Sequence, residues 1–210
     1  MAAAVVAFLA LALLARPGGG GGGLDAQVHA WVGGHRSGAL TTFFTGYTGL
    51  GQWLVLAAAA LVAVAALAAS ARRREAAFLL IAMVAELLLN LALKSAFARA
   101  RPPLAGALVH AGGYAFPSGH AMASATFALA LAVIAWPTRW RVPAALLAAA
   151  FALLMGASRI YLGVHWLTDV LAGWAMAVAV VSGTELGLEI HEDARRPAPQ
   201  GGGGVSGAAA

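Results

Sequence analysis

Two histidines in the sequence stand beside residues that can give them chemical roles. His165 precedes Asp169 by four residues, a spacing that on a helix places both side chains on one face, one turn apart. The carboxylate can then accept the proton of one ring nitrogen and leave the other free as a nucleophile. His120 follows Ser118 and Gly119 at the predicted start of an apolar helix, where an imidazole can act as a general acid. A structural His–Asp hydrogen bond is the alternative, but a carboxylate is costly in so apolar a chain, so we favour function.

Three cations accompany these histidines. Lys94, Arg101 and Arg159 supply positive charge and N–H donors that suit the oxygens of a phosphoryl group. Ser118 is a candidate N-cap, and the helix start after it offers free N–H groups to an anion, with room at Gly119 for close approach. Each Lys or Arg alone could be a snorkelling residue at a membrane surface. The convergence of three cations with two histidines favours an anion site.

Two other polar features lie near these residues. Arg99 belongs to none of the groups above, and snorkelling at the membrane surface is its better explanation. Glu86, Asn90 and Lys94 are spaced four residues apart, which predicts one polar stripe on a helix, with Glu86 about 12 Å from Lys94. Glu86 either positions Lys94 through Asn90 or pairs with another interior group, and we favour the second, structural role.

The composition predicts that a helix bundle embedded in a membrane positions these residues. The chain is 61% hydrophobic and 10% charged, too apolar for a soluble domain of 210 residues. The apolar residues form blocks of nearly membrane-spanning length. We therefore predict an all-α, polytopic membrane bundle of about six transmembrane helices, over residues 2–15, 52–71, 76–98, 119–136, 143–158 and 166–188.

The two ends of the chain and one connection need separate interpretation. The first block resembles a signal-peptide core, but it lacks a preceding basic residue and a cleavage pattern, so we predict an anchoring helix. Residues 1–190 are predicted to form one membrane domain with a motif core at 94–169, and residues 191–210 a disordered tail. The aromatic-containing segment 24–51 is either an interfacial helix or a plain connection.

Basic residues in the connections predict the orientation. With six spans, one side carries the arginines of two turns and of the tail, and this side should be cytoplasmic. Both termini are then cytoplasmic, and the chemical groups above face outward. The basic residues of the predicted cytoplasmic side are Arg72, Arg73, Arg74, Arg139, Arg141, Arg195 and Arg196.

Charge and motif content exclude several other classes of protein. The formal net charge is +5, but the basic residues lie in short loops beside apolar blocks, so a membrane explains them and nucleic acid is not an expected partner. The sequence contains no zinc, nucleotide or dinucleotide fingerprint. We therefore predict no cofactor and no metal site, and the sequence leaves the oligomeric state open.

The charged groups together resemble a known family. The sequence contains K-x6-RP from Lys94 to Pro102, PSGH ending at His120, and SR-x5-H-x3-D from Ser158 to Asp169. These motifs are the signature of the type 2 phosphatidic acid phosphatase superfamily, and every signature position matches in the same order. The resemblance covers residues 94–169 directly, and the six-block layout extends it to most of the chain.

The resemblance implies a role for each matching residue. His165 would be the nucleophile, Asp169 its orienting partner and His120 the general acid. The reaction would be metal-independent hydrolysis of a lipid phosphate or diphosphate, through a phosphohistidine, at the outer face of the plasma membrane. Candidate substrates are phosphatidic acid, phosphatidylglycerol phosphate and polyprenyl diphosphate. The phosphate-binding residues implied are Lys94, Arg101, Ser118, Gly119 and Arg159.

Two alternatives to a phosphatase stay open. A lipid phosphotransferase would use the same intermediate, because an acceptor other than water can attack a phosphohistidine. A non-catalytic transporter or binding protein for lipid phosphates would keep the cations but could dispense with the two histidines and Asp169. Their presence argues against the second alternative.

Overall fold

The chain folds into helices joined by short connections. The computed structural model describes residues 1–16, 21–103 and 106–195, and these ranges contain no strand, which confirms the all-α prediction. In chain order the helices are α1 (Ala2–Leu14), α2 (Gly21–Gly34), α3 (Gly38–Thr48), a 3-10 turn (Gly49–Gly51), α4 (Trp53–Ala69), α5 (Arg73–Phe97), α6 (Gly119–Ala135), α7 (Arg141–Tyr161) and α8 (Leu167–Arg195).

Each predicted apolar block corresponds to one helix, namely α1, α4, α5, α6, α7 or α8. The main difference lies at the end of α8, which continues to Arg195, so the predicted start of the tail at residue 191 is wrong. The helix is extended by ion pairs, because Arg74 on α5 binds Glu185 at 2.8 Å and Glu192 at 2.9 Å. The predicted disorder of residues 196–210 lies outside the described residues.

Several helices have the length and composition of membrane spans. α5, α7 and α8 have 25, 21 and 29 residues and mean hydropathies of 2.3, 1.7 and 1.5. The helical segment Gly38–Gly51 and α4 form a pair bent by 52°, which counts as a fourth span if the two are taken together. α1 and α6 are apolar but shorter, with 13 and 17 residues. A polytopic bundle is thus confirmed. Six membrane spans require that the two shorter helices, α1 and α6, also cross the membrane. The orientation of the termini stays a prediction.

The segment 24–51 is not a plain connection, because it contains most of α2, all of α3 and the 3-10 turn. Ser37 caps α3 by accepting a hydrogen bond from the Leu40 backbone N–H at 3.4 Å. The Ser37 N–H also donates to the hydroxyl of Tyr161 at 2.9 Å. This contact ties the start of α3 to the end of α7.

Helix α6 lies at the centre of the bundle, where it packs against α5, α7 and α8. Its buried side chains are mostly small, as at Ala121, Ala125 and Ala128, and small residues let membrane helices approach closely. α7 and α8 also meet closely, since a Cβ on Gly156 would lie 2.3 Å from the Trp174 ring.

Helix α1 packs as part of the bundle. Its buried residues Phe8 and Ala12 form a cluster with Phe116 and with Ala172 of α8. The Phe8 ring also meets the Phe97 ring edge-on, with centroids 6.3 Å apart. These contacts join α1 to the end of α5, next to the sequence motifs, while its role as an anchoring helix stays a prediction.

A methyl group at Gly156 should destabilise the bundle. We expect Gly156→Ala to reduce the free energy of unfolding by about 1–3 kcal/mol, because the added Cβ overlaps the Trp174 ring and forces α7 from α8. The matched control is Gly187→Ala on α8, where a Cβ would meet nothing within 4 Å. Thermal unfolding of the purified protein in detergent measures both variants, and equal melting temperatures for the two would contradict this account of the packing.

Candidate active site

The three sequence motifs meet at one end of the bundle. Lys94 lies in the last turn of α5 and Arg159 in the last turn of α7, while α6 and α8 begin at the same end. A cavity of about 480 Å³ opens there. Ser118 and Asp169 are fully buried rather than on its surface. The other predicted residues line it, and they are Lys94, Arg101, Gly119, His120, Arg159 and His165.

Two of the cations hold the loop that precedes α6. Lys94 Nζ donates to the carbonyl oxygen of Pro117 at 3.0 Å. The Arg101 guanidinium donates to the carbonyls of Gly112 at 2.8 Å and Val164 at 2.7 Å. Burial lowers the pKa of Arg101, but a guanidinium remains charged at neutral pH. Both positive charges are therefore fixed in place by the backbone that surrounds the cavity.

Arg159 is buried and is held by a residue outside the sequence motifs. Its side chain donates from Nη1 to Thr48 Oγ1 at 2.6 Å, and Thr48 is the last residue of α3. The buried Nε of Arg159 has no hydrogen-bond partner among the described atoms. Arg159 itself lines the cavity, so its guanidinium charge lies at the site.

Ser118 occupies the predicted N-cap position of α6, but its side chain makes no capping hydrogen bond. Its hydroxyl is buried without a partner among the described atoms, while its backbone N–H donates to the Asp169 carbonyl at 3.0 Å. A Cβ on Gly119 would lie 3.1 Å from Asn90 Oδ1, so glycine lets α6 approach α5 closely. The helix start thus combines free N–H groups with an unpaired hydroxyl, a donor set that suits an oxyanion.

His165 and Asp169 pair as predicted, although not on one helix. α8 begins at Leu167, so His165 lies in the connection before it, and Asp169 reaches back from the first helical turn. Asp169 Oδ2 accepts from the Trp166 backbone N–H at 2.9 Å and lies 3.4 Å from His165 Nδ1. The other ring nitrogen, Nε2, lies 2.9 Å from Arg101 Nη1.

The surroundings of His165 favour the neutral imidazole. Burial lowers its pKa well below 6.5, and the nearby positive charges of Arg101, Arg159 and Lys94 lower it further. A lowered pKa means that the ring loses its extra proton at a lower pH, so it is neutral at pH 7. An N–H donor at Nε2 and a carboxylate at Nδ1 together place the single proton on Nδ1.

The prediction that Arg99 snorkels at the membrane surface is wrong. Its guanidinium donates to Asp169 Oδ1 at 2.5 Å, Thr168 Oγ1 at 2.7 Å and Asp25 Oδ2 at 2.7 Å. Asp25 lies on α2, is 1% exposed, and also accepts from the Thr168 backbone N–H at 3.0 Å. An acidic residue in so apolar a chain signals a buried partner, but the sequence does not say which cation it is.

The polar stripe on α5 is buried as expected, with Glu86 4% and Asn90 6% exposed. Asn90 Nδ2 donates to Met122 Sδ at 3.5 Å, whereas Lys94 Nζ donates to backbone carbonyls. The described hydrogen bonds link Glu86 neither to Lys94 through Asn90 nor to another interior group, so the structural role favoured for Glu86 stays a prediction.

Several cavity residues were not recognised in the sequence. Thr45 and Gln52 come from the bent α3–α4 segment, and His110 comes from the loop before α6. Gly51 allows this segment to approach His120, since a Cβ there would lie 2.8 Å from the His120 ring. Thr45 and Gln52 are distant from the motifs in sequence, and the bent α3–α4 segment brings them to the cavity, whereas His110 lies between the first two motifs.

The cavity offers an anion many donors and offers a cation few ligands. In the described part of the chain, no three His, Asp or Glu side chains are grouped so as to hold a metal ion. Asp169 is already engaged by Arg99 and by the Trp166 N–H. The three cations and the start of α6 at Gly119 line the cavity and can instead bind a phosphoryl group directly.

A helix bundle with a cationic cradle and a histidine–aspartate pair defines the class of protein. The profile of the PAP2 superfamily matches residues 75–184. This match spans more than half of the chain and includes all three motifs, so the chain belongs to the PAP2 superfamily.

Curated relatives match over the same region. Phosphatidylglycerophosphatase B of Bacillus subtilis (strain 168) is 35% identical over 105 residues, which are 48% of this chain and 51% of the relative. Undecaprenyl-diphosphatase of Sulfolobus acidocaldarius is 40% identical over 63 residues, which are 30% of this chain and 28% of the relative. The matched part of the chain thus spans about half or less of these relatives' length.

Solved structures extend the likeness to nearly the whole chain. The crystal structure of a transmembrane PAP2-type phosphatidylglycerolphosphate phosphatase from Bacillus subtilis has a TM-score of 0.82 at 26% identity, covering 93% of this chain and 97% of that one. Aquifex aeolicus LpxE has a TM-score of 0.66 at 24% identity, covering 78% and 95%, which shows a shared fold.

The contact between Thr48 and Arg159 gives a test of the anion site. We expect Thr48→Val to weaken binding of inorganic phosphate about tenfold, because a hydrogen bond to a charged group contributes about 1.5 kcal/mol and valine keeps the shape. Thr42→Val, an exposed position on the same helix, is the control. Titration calorimetry in detergent measures both, and unchanged affinity in Thr48→Val would show that Arg159 does not need this contact to bind the anion.

Proposed function

We propose that the chain is an integral membrane phosphatase that removes the terminal phosphate from a lipid phosphate or diphosphate. His165 acts as nucleophile, His120 as general acid and Asp169 as the group that orients His165. The phosphate oxygens bind to the cations and to the start of α6. The residues in this cradle are Lys94, Arg101, Ser118, Gly119 and Arg159.

The geometry of His165 carries the proposal. Asp169 lies at Nδ1, while Nε2 lies beside a cation of the cradle. A neutral imidazole with its proton on Nδ1 has its lone pair on Nε2, on the side where a phosphoryl group would bind. A protein that only binds lipid phosphates would need the cations but would have no use for this arrangement.

The first step transfers the phosphoryl group to the enzyme. The Nε2 lone pair of His165 attacks phosphorus, a P–N bond forms, and the bond from phosphorus to the lipid oxygen breaks. Protonated His120 gives its proton to that leaving oxygen. Lys94, Arg101 and Arg159 stabilise the negative charge on the equatorial oxygens, and Asp169 stabilises the positive charge that develops on the His165 ring.

The second step returns the enzyme to its starting state. His120, now neutral, takes a proton from a water molecule, and the water oxygen attacks phosphorus. The P–N bond breaks, its electron pair returns to Nε2 of His165, and inorganic phosphate is released. Transfer to an acceptor lipid would use the same intermediate, so the ratio of free phosphate to phosphorylated acceptor distinguishes hydrolysis from phosphotransfer.

The membrane setting supports a lipid substrate. The cavity lies at the end of the bundle, next to apolar helices, where a lipid headgroup can reach it while the acyl chains stay in the bilayer. The names of the relatives, a phosphatidylglycerophosphatase and an undecaprenyl-diphosphatase, point to lipid monophosphates and diphosphates as the first substrates to assay. From the basic loops we place the site at the outer face of the plasma membrane, with both termini inside.

Removal of the nucleophile should abolish the reaction. We expect purified His165→Ala to release no measurable phosphate from lipid phosphates, and Asp169→Asn to retain slight turnover because a misoriented imidazole keeps some reactivity. The unmodified protein should remain active in excess EDTA, since its cations replace a metal ion. Near-normal phosphate release by a folded His165→Ala protein, or loss of activity in EDTA that Mg²⁺ restores, would contradict the mechanism.

Single cysteines test the orientation. A cysteine at Ala111, in the loop beside the cavity, should react with a membrane-impermeant thiol reagent in intact cells. One at Ser70, exposed at the opposite end of the bundle, should react only after the cells are opened. The native chain has no cysteine that would complicate the labelling. The reverse pattern would place the site in the cytoplasm.

A further inference from the structure

A buried chain of ionic contacts lies behind the histidine–aspartate pair, on the side away from the cavity. Arg99 stands between two carboxylates, with Nη2 at 2.7 Å from Asp25 Oδ2 and Nη1 at 2.5 Å from Asp169 Oδ1. The carboxylates are 1% and 0% exposed, and the arginine side chain is 14% exposed. Neither Asp25 nor Arg99 belongs to the sequence motifs.

We propose that Asp25 and Arg99 are positioning residues that hold Asp169, and through it His165, in the orientation for attack. The proposal rests on the proposed function, because it assigns a task to residues that act through the nucleophile. Neither residue lines the cavity, so neither is expected to bind the substrate phosphate.

The contacts of Asp169 show why its orientation needs support. One oxygen, Oδ2, serves both the Trp166 N–H at 2.9 Å and His165 Nδ1 at 3.4 Å. The other oxygen, Oδ1, is held by Arg99. Rotation of the carboxylate would therefore break a charged hydrogen bond at Oδ1 before it could move Oδ2 away from the imidazole.

Asp25 fixes Arg99 and the start of α8 together. It accepts hydrogen bonds from Arg99, from the Thr168 backbone N–H at 3.0 Å and from the Thr168 hydroxyl at 2.7 Å. Thr168 precedes Asp169, so α2 determines the position of the helical turn that carries the carboxylate.

The charges of the group suit its task as well. Arg99 alone would neutralise Asp169 and weaken its attraction for the positive ring that forms when His165 attacks phosphorus. With Asp25 included, two carboxylates surround one guanidinium and the group keeps one net negative charge. That negative charge favours a positive imidazole ring, whereas the cations on the cavity side of the ring disfavour it.

The test separates chemistry from substrate binding. With a soluble short-chain lipid phosphate and protein in detergent, we expect Arg99→Gln to lower kcat about 10- to 100-fold, as loss of an outer partner of a reacting group does. KM should stay within about threefold, because the cradle is intact. Arg16→Gln, an exposed arginine at the same end of the bundle, is the control and should leave both constants unchanged.

A double variant tests whether the two residues act as one chain. Asp25→Asn should lower kcat less than Arg99→Gln, and the double variant should be no slower than Arg99→Gln alone, because residues in one network are not additive. If the reductions in kcat of the two single variants multiply in the double variant, or if the variants change only KM, the proposal is overturned. If kcat is unchanged in Arg99→Gln while His165→Ala is inactive, the positioning role fails and the proposed phosphatase stands.

Chemical rescue distinguishes positioning from a general loss of structure. A second cavity, of about 480 Å³, is lined by Asp25, Arg99 and Trp166 among the described residues, so a small cation can reach the space that Arg99 leaves. We expect low, non-denaturing guanidinium to restore kcat of Arg99→Ala in a saturable way, with no rescue of Asp169→Asn. If Arg99→Ala melts at the wild-type temperature yet guanidinium does not raise its kcat, the proposal is overturned. If Arg99→Ala is unfolded, the kcat values of Arg99→Gln and Asp25→Asn decide whether the two residues have a positioning role.

Discussion

Charged side chains can lie inside this apolar bundle only where each finds a partner, and the active-site end of the molecule is built around that constraint. Buried Arg159 donates to Thr48, and Arg101 donates to carbonyls on both sides of the cavity. Behind them, Asp169 is held by Arg99. The contact of Arg159 joins the ends of α7 and α3, and the contact of Arg101 with Val164 joins the loop before α6 to the connection before α8, so these hydrogen bonds also fix the positions of the segments.

The site also requires its helices to pack closely. Glycine residues allow this close packing where helices contact the site. A Cβ on Gly173 of α8 would lie 3.0 Å from the Ser118 carbonyl oxygen, so glycine there lets α8 pack closely against the start of α6. Gly51 similarly lets the bent α3–α4 segment touch the His120 ring. The cradle therefore has rigid walls, which is what electrostatic stabilisation of a transition state demands.

In the proposed mechanism, these features make His165 the nucleophile. Burial lowers the pKa of His165, and the cations that would bind phosphate lower it further, so the ring is neutral at pH 7. In that mechanism, the carboxylate at Nδ1 stabilises the positive charge that the ring acquires when it attacks phosphorus. The proposed reaction would therefore use the cations on the cavity side to bind phosphate and the carboxylate on the other side to stabilise the charged ring.

The sequence by itself determined the helical class, the six apolar segments and the eight motif residues, because hydrophobic blocks and short motifs are local properties of the chain. It could not assign Arg99, Asp25 or Thr48, since Arg99 lies 74 positions from Asp25 and 70 from Asp169, and Thr48 lies 111 positions from Arg159. It also put His165 on a helix that begins two residues later. Only the tertiary structure decided these points, because the pairing of buried charges depends on which helix ends meet.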